Sequence, residues 1–118
     1  MHELSLAEEV IRLVRSEALS HNAKAVSEIT LEVGNLSGID ADAFESALKV
    51  LSENSIIDKS GINIIRKKGT GICHSCGIEF EIESRIAECP GCHNLPFEIR
   101  GGNEFRVVYL VVDQEDEN

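Results

Sequence analysis

Basic residues are in short supply: 11 Lys and Arg stand against 21 Asp and Glu, a formal net charge of −10. A surface of that sign repels polyphosphate rather than releasing its counterions, which argues against a nucleic-acid partner. Long apolar runs are missing too. None approaches the roughly 20 residues that cross a bilayer, and Met1-His2-Glu3 is not the basic start of a secretion signal. The expectation is a soluble cytoplasmic protein that does not meet a membrane. Catalytic sets are also absent. There is no glycine-rich phosphate loop opening a helix and no Ser/His/Asp order, and Met1-His2-Glu3-Leu4-Ser5 has a single histidine where H-E-x-x-H needs two. The carboxylate runs Glu8-Glu9 and Glu115-Asp116-Glu117 lack an apolar pocket and read as solvated surface. Finally, Phe80 is the one aromatic residue between Gly69 and Pro96. That stretch has few large side chains to bury and needs another source of stability.

The source is in the cysteines. The chain has 118 residues, 42% of them hydrophobic, enough for one core with a small appendage. Its four cysteines fall as Cys73-x2-Cys76 and Cys89-x2-Cys92, with twelve residues between the pairs. Two tight turns each offering two thiolates, joined by a segment long enough to fold back as a hairpin, make a tetrahedral metal site rather than two disulfides. Thiolate-only zinc sites are usually closed and structural, whereas iron in a rubredoxin-like site suits the same ligands. The knuckle residues do not separate the two. From Gly69 to Glu98 a single basic residue, Arg85, faces Glu79, Glu81, Glu83, Glu88 and Glu98, a balance of −4. A nucleic-acid-binding ribbon with that field is implausible.

Apolar residues at Leu4, Ala7, Val10, Ile11, Val14 and Ala18 predict an amphipathic helix from Leu4 to about Leu19. Val26 to Val33 alternates Ile29, Leu31 and Val33 with Glu28, Thr30 and Glu32, which predicts a half-buried strand. A second helix is expected from about Ala41 to Glu53, capped by Asp40 or Asp42 and striped by Phe44, Ala47, Leu48 and Leu51. Ile62 to Ile65 reads as a short strand. Phe105 to Val112 is almost continuously apolar and suits a central strand covered on both faces. Its only partners lie before the cysteines. The expected fold is therefore α+β: two helices packed on a small three-stranded mixed sheet, with an inserted four-cysteine, zinc-ribbon-like domain. The boundaries read as 1–68 plus 97–113 for the α/β domain, 69–96 for the insertion, and 114–118 for a flexible acidic tail.

Histidine supplies a second group of candidates. His74 and His93 each adjoin a knuckle cysteine, as solvated turn residues or as spare ligands that titrate near neutral pH. His21 falls in the break after the first helix. His2 is distinguished by its position, because a bulky second residue is expected to block removal of Met1 and to leave a free amine one residue from an imidazole. Amine, imidazole and deprotonated backbone amides can ring a divalent ion in a plane, a geometry that selects nickel(II) or copper(II) over zinc. The alternative is an accidental chelate on a frayed terminus.

Taken together, Met1-His2-Glu3-Leu4-Ser5-Leu6, Leu31-Glu32-Val33-Gly34-Asn35-Leu36-Ser37-Gly38, the motifs Cys73-His74-Ser75-Cys76-Gly77 and Cys89-Pro90-Gly91-Cys92, and Gly102-Asn103-Glu104-Phe105 resemble the HypA (HybF) family of nickel-maturation proteins. The resemblance implies a nickel site at Met1, His2 and Glu3, with His2 the indispensable ligand, the Met1 amine and the backbone nitrogens of His2 and Glu3 as co-ligands, and Glu3 also in contacts with a GTPase. It implies a structural Zn(II) at Cys73, Cys76, Cys89 and Cys92, and no catalysis. As implied partners it brings a HypB-type GTPase, the large subunit of NiFe hydrogenase and, in some organisms, urease maturation proteins; the chain itself would be a monomer or weak homodimer. One departure is that Ile62 to Lys68 lacks the proline often found before the zinc domain in this family. From another class comes the competing reading, a zinc-ribbon protein–protein interaction module in which His2 is incidental.

Overall fold

A computed structural model describes residues 3–58, 60–83, 87–93 and 97–114, with Phe97 described by its backbone. Eight elements follow in order: α1 (Glu3–Ser20), β1 (Ala23–Gly34), α2 (Ala41–Ser52), β2 (Gly61–Lys67), β3 (Gly69–Cys73), β4 (Glu79–Ile82), β5 (Phe97–Arg100) and β6 (Phe105–Gln114). They form two three-stranded sheets, ordered β2-β1-β6 and β4-β3-β5. In the first, β1 runs parallel to β2 and antiparallel to β6, so that sheet is mixed as expected. The second is antiparallel throughout. The fold is the α+β arrangement of two helices on a mixed sheet with the cysteine module inserted between β2 and β6.

The helical stripes put the core where the periodicity places it. Ala7, Val10, Ile11, Val14 and Ala18 of α1 are buried, whereas Leu4 at the first turn is exposed. On α2, Phe44 and Leu48 are completely buried, and Asp40 caps the helix by accepting from the N–H groups of Asp42 and Ala43, both at 3.1 Å. The inward residues Ile29 and Leu31 of β1 meet both helices' apolar faces in one cluster. Phe105 closes it from β6, its ring edge-on to that of Phe44 at 5.2 Å between centroids. Among the described residues, no helix is long and apolar enough to cross a membrane.

Three expectations need correction. The doubly flanked strand is β1, not the Phe105–Val112 run, which forms the edge strand β6 with Val108, Tyr109 and Val111 exposed. Only one face of the sheet is covered by helices. A register shift between Thr30 and Leu31 accommodates Val108 as an extra residue, so an apolar run that looks doubly buried is one alternating strand with a bulge. Second, Phe97–Arg100, expected in the first domain, pairs with β3 instead, so the chain rejoins the first sheet only at Phe105, after Gly101-Gly102. Third, Gln114 is the last residue of β6 rather than the start of a tail, and residues 115–118 lie outside the described residues.

The polar face of β1 is less wet than alternation suggests. Glu32 is 8% exposed, because Arg106 from β6 donates to it at 2.5 Å and Lys67 from β2 stands 3.7 Å away on its other side. The Arg106 hydrogen bond, opposed by burial and reinforced by both positive charges, holds the Glu32 carboxyl below its ordinary value.

Candidate metal centre

β3 delivers Cys73 to the first knuckle. There the Cys73 N–H donates to the Ile78 carbonyl at 3.0 Å and the Gly77 N–H to the Cys73 carbonyl at 2.9 Å, a turn that places Gly77 at φ +77°. The second knuckle repeats this closure with the His93 N–H donating to the Cys89 carbonyl at 2.8 Å. Gly91 allows the two turns to meet, since a Cβ on it would stand 2.4 Å from Ile78 Cδ1.

The sulfurs converge across the knuckles. Cys73 Sγ lies 3.4 Å from Cys92 Sγ and Cys76 Sγ 3.5 Å from Cys89 Sγ, with all four within 4.8 Å of one another. None forms a disulfide. Four sulfurs at about 2.3 Å from a central ion stand about 3.8 Å apart in a tetrahedron, which these spacings fit. Cys73 and Cys89 are buried, Cys92 is half-buried and Cys76 is exposed.

Electrostatics agree with a cation-binding role. The N–H groups of Cys76 and then Ser75 favour a thiolate at Cys73 and bring it down to about 6 against the cost of burial. The N–H of Cys92, followed by that of Gly91, likewise lowers Cys89. Although the Ile78 N–H favours ionisation of Cys76, its bond with Cys89, burial and the remaining sulfurs together push it up to about 12. The backbone thus prepares negative charge that the four thiols cannot all carry by themselves; a divalent cation relieves the conflict.

His74 and His93 stay outside this cluster. His74 is exposed, and His93 directs Nδ1 toward the Glu88 carboxylate at 3.4 Å, with most of its side chain in solvent. Of the terminal candidates, Met1 and His2 lie outside the described residues. Glu3 opens α1, and its carboxylate accepts the Asp40 N–H at 3.4 Å.

Residues 34–36, where the sequence turns the chain after the first strand, are also where the two sheets join. The Gly34 N–H donates to Glu104 O, the Asn35 N–H to Lys67 O and the Leu36 N–H to Gly102 O, at 2.7, 2.8 and 2.7 Å. The signal available in the sequence was a glycine ending an apolar alternation, which marks a close backbone approach.

Fold and site together define a small metal-binding protein in which an α+β body carries a separate four-thiolate module. The profile of the family described as "Hydrogenase/urease nickel incorporation, metallochaperone, hypA" matches residues 1–112. The chain belongs to this HypA family, whose members are metallochaperones for hydrogenase maturation and not enzymes. It is 34% identical over 115 residues to the hydrogenase maturation factor HypA of Parabacteroides distasonis, covering 98% of this chain and all of that one. With the corresponding protein of Francisella philomiragia it shares 32% identity over 111 residues, 94% of this chain and 98% of the other. The solution structure of the Ni metallochaperone HypA from Helicobacter pylori superposes with a TM-score of 0.64 at 27% identity, covering 98% of this chain and 100% of that one.

Proposed function

We propose that this chain carries Ni(II) at Met1, His2 and Glu3 and delivers it, through a HypB-type GTPase, to the large subunit of NiFe hydrogenase. Urease maturation proteins are a second destination of the same chemistry. The family match over residues 1–112 supports the nickel cargo, and the closed geometry at the cysteines indicates where that cargo does not sit. A cage of four thiolates has no open position, so an ion held there is retained rather than passed on. Terminal ligands can be released one at a time. The Met1 amine, the His2 imidazole and the backbone nitrogens of His2 and Glu3 supply the nitrogen-rich, planar set that nickel(II) prefers. Glu3 stands at the start of α1 beside the α2 cap.

In this reading Cys73, Cys76, Cys89 and Cys92 hold a structural Zn(II), and the reduced thiols suit a cytoplasmic protein. Zinc gives a colourless protein, whereas a thiolate-to-iron charge-transfer band identifies iron. The test of the nickel site is His2→Ala. Nickel titration should lose the site while zinc content and helix content stay at wild-type values, because a terminal residue contributes little packing. An added N-terminal residue should act as the mutation does, by removing the free amine. Wild-type nickel affinity in His2→Ala defeats the terminal site and leaves the interaction-module reading in its place.

A further inference from the structure

Two short connections join the sheets, Lys68 between β2 and β3 and Gly101-Gly102 leading from β5 toward β6. Both glycines have positive φ, +70° and +86°. Connections of this kind permit a swing. What opposes it is the turn that ends β1. The Asn35 side chain donates from Nδ2 to Ile82 O at 3.0 Å and accepts at Oδ1 from Gly69 N–H at 3.3 Å. Gly69 and Ile82 are register partners at the end of the β3–β4 ladder. A side-chain amide has the donor and acceptor of a peptide group, so Asn35 caps that ladder as another strand's backbone would. Leu36 wedges beside it: its Cδ1 occupies the space above Gly69 and Gly102, where a Cβ on either glycine would stand 2.6 or 2.8 Å away.

We propose that Asn35 is a clamp whose side-chain amide, spanning Gly69 and Ile82, holds the cysteine module in one orientation against the helix-bearing sheet. The lever is long. Cys73 lies four residues along β3 from Gly69, about 13 Å at strand rise, so a tilt of about 20° at the junction moves the thiolates by roughly 4–5 Å. Asn35 itself is exposed. Water can replace either of its bonds, and the clamp therefore governs orientation without being needed for either sheet to form. The same turn continues to Asp40, whose N–H meets Glu3, so one loop touches both the start of α1 and the cysteine module.

The test is residual dipolar coupling on the full chain loaded with zinc and free of nickel. In the native protein a single alignment tensor should fit the amides of both sheets. In Asn35→Ala, and equally in Asn35→Asp, whose carboxylate sets an acceptor against Ile82 O, each sheet should keep its own chemical shifts while the common tensor is lost. A common tensor with unchanged orientation in Asn35→Ala overturns the proposal. A measurement on the native protein is independent of how the variants fold: a through-hydrogen-bond coupling from Asn35 Nδ2 to the Ile82 carbonyl carbon should be present, and a freely rotating Asn35 amide without it also overturns the clamp. Neither arm uses nickel, so failure of the terminal nickel site leaves both results intact.

Discussion

Gly34→Ala should be among the most damaging single-methyl additions to this protein, although Gly34 needs no left-handed conformation. A Cβ at Gly34 would stand 2.0 Å from Gly102 O, 2.3 Å from Gly102 C and 2.7 Å from Glu104 N. All three are backbone atoms, and none can rotate away. The two strand ends must separate by more than an ångström to reach ordinary contact, which stretches the bonds from Gly34 N–H to Glu104 O and from Leu36 N–H to Gly102 O. Two backbone hydrogen bonds at about 1 kcal/mol each and an overpacking cost of about 1–3 kcal/mol sum to about 3–5 kcal/mol. In a chain of this size that lowers the melting temperature on the order of 10–20 °C. Gly38 supplies the control, because it has φ +81° and nothing within 4 Å of an added Cβ. Gly38→Ala should cost only the left-handed penalty of about 1–2 kcal/mol. Urea unfolding of the metal-saturated proteins followed by circular dichroism orders the two, provided the slope with denaturant is unchanged. A loss below about 1 kcal/mol for Gly34→Ala, or one smaller than that of Gly38→Ala, refutes the close-approach argument.

Cys76→Ala should release the metal and expose the amides of β3, β4 and β5 to rapid hydrogen exchange while α1, α2 and β1 stay protected, since metal binding supplies on the order of 10 kcal/mol to such sites. Stoichiometric metal with unchanged protection would remove the cysteine assignment. Glu32 makes a prediction about acid. Its folded pKa is depressed, chiefly by the Arg106 hydrogen bond, so its contribution is present above the unfolded value of about 4.3 and is lost as pH falls from there through the lower folded value. The stability difference between native protein and Glu32→Gln should be constant near neutrality and shrink below about pH 4; a difference that grows on acidification contradicts the assigned direction.

Legibility in the sequence followed the strength of local signals. The α1 stripe and the cysteine spacing each repeat one physical requirement several times, and each appears in the structure; β1 forms where its alternation puts a strand, but Ile29 to Gly34 is buried on both faces rather than half-buried. The second sheet had no such repetition. β3 contains Gly69 and Gly71 in five residues, the latter because Phe80 packs where its Cβ would be, 2.9 Å from Cζ. β3 offers no apolar alternation to read, the Phe97-Glu98-Ile99-Arg100 alternation of β5 lasts only four residues, and their pairing spans the cysteine knuckles. Misplacing β6 in the centre had a different cause, a bulge at Val108 that interrupts the two-residue period. Asn35 could not be read at all, since its partners, Ile82 and Gly69, are 47 and 34 residues away. The nickel ligands proposed at the terminus are a separate matter, since Met1 and His2 lie outside the described residues.

The strand order β2-β1-β6 also has a consequence during synthesis. Gly34 and Phe105, which end and begin neighbouring strands, are separated by 70 residues. At translation rates of roughly 5–20 residues per second, β1 waits about 4–14 s for the strand that completes its sheet. The cysteine module shortens the search. Its ends meet, a Cβ on Gly102 falling 2.9 Å from Gly69 Cα, so once folded it ties off nearly half of the intervening chain. Halving a loop reduces its closure cost by about 0.6 kcal/mol, roughly a threefold gain in the odds of that encounter. The metal that assembles the module therefore assists the nascent chain in finding a strand pairing in which no cysteine takes part.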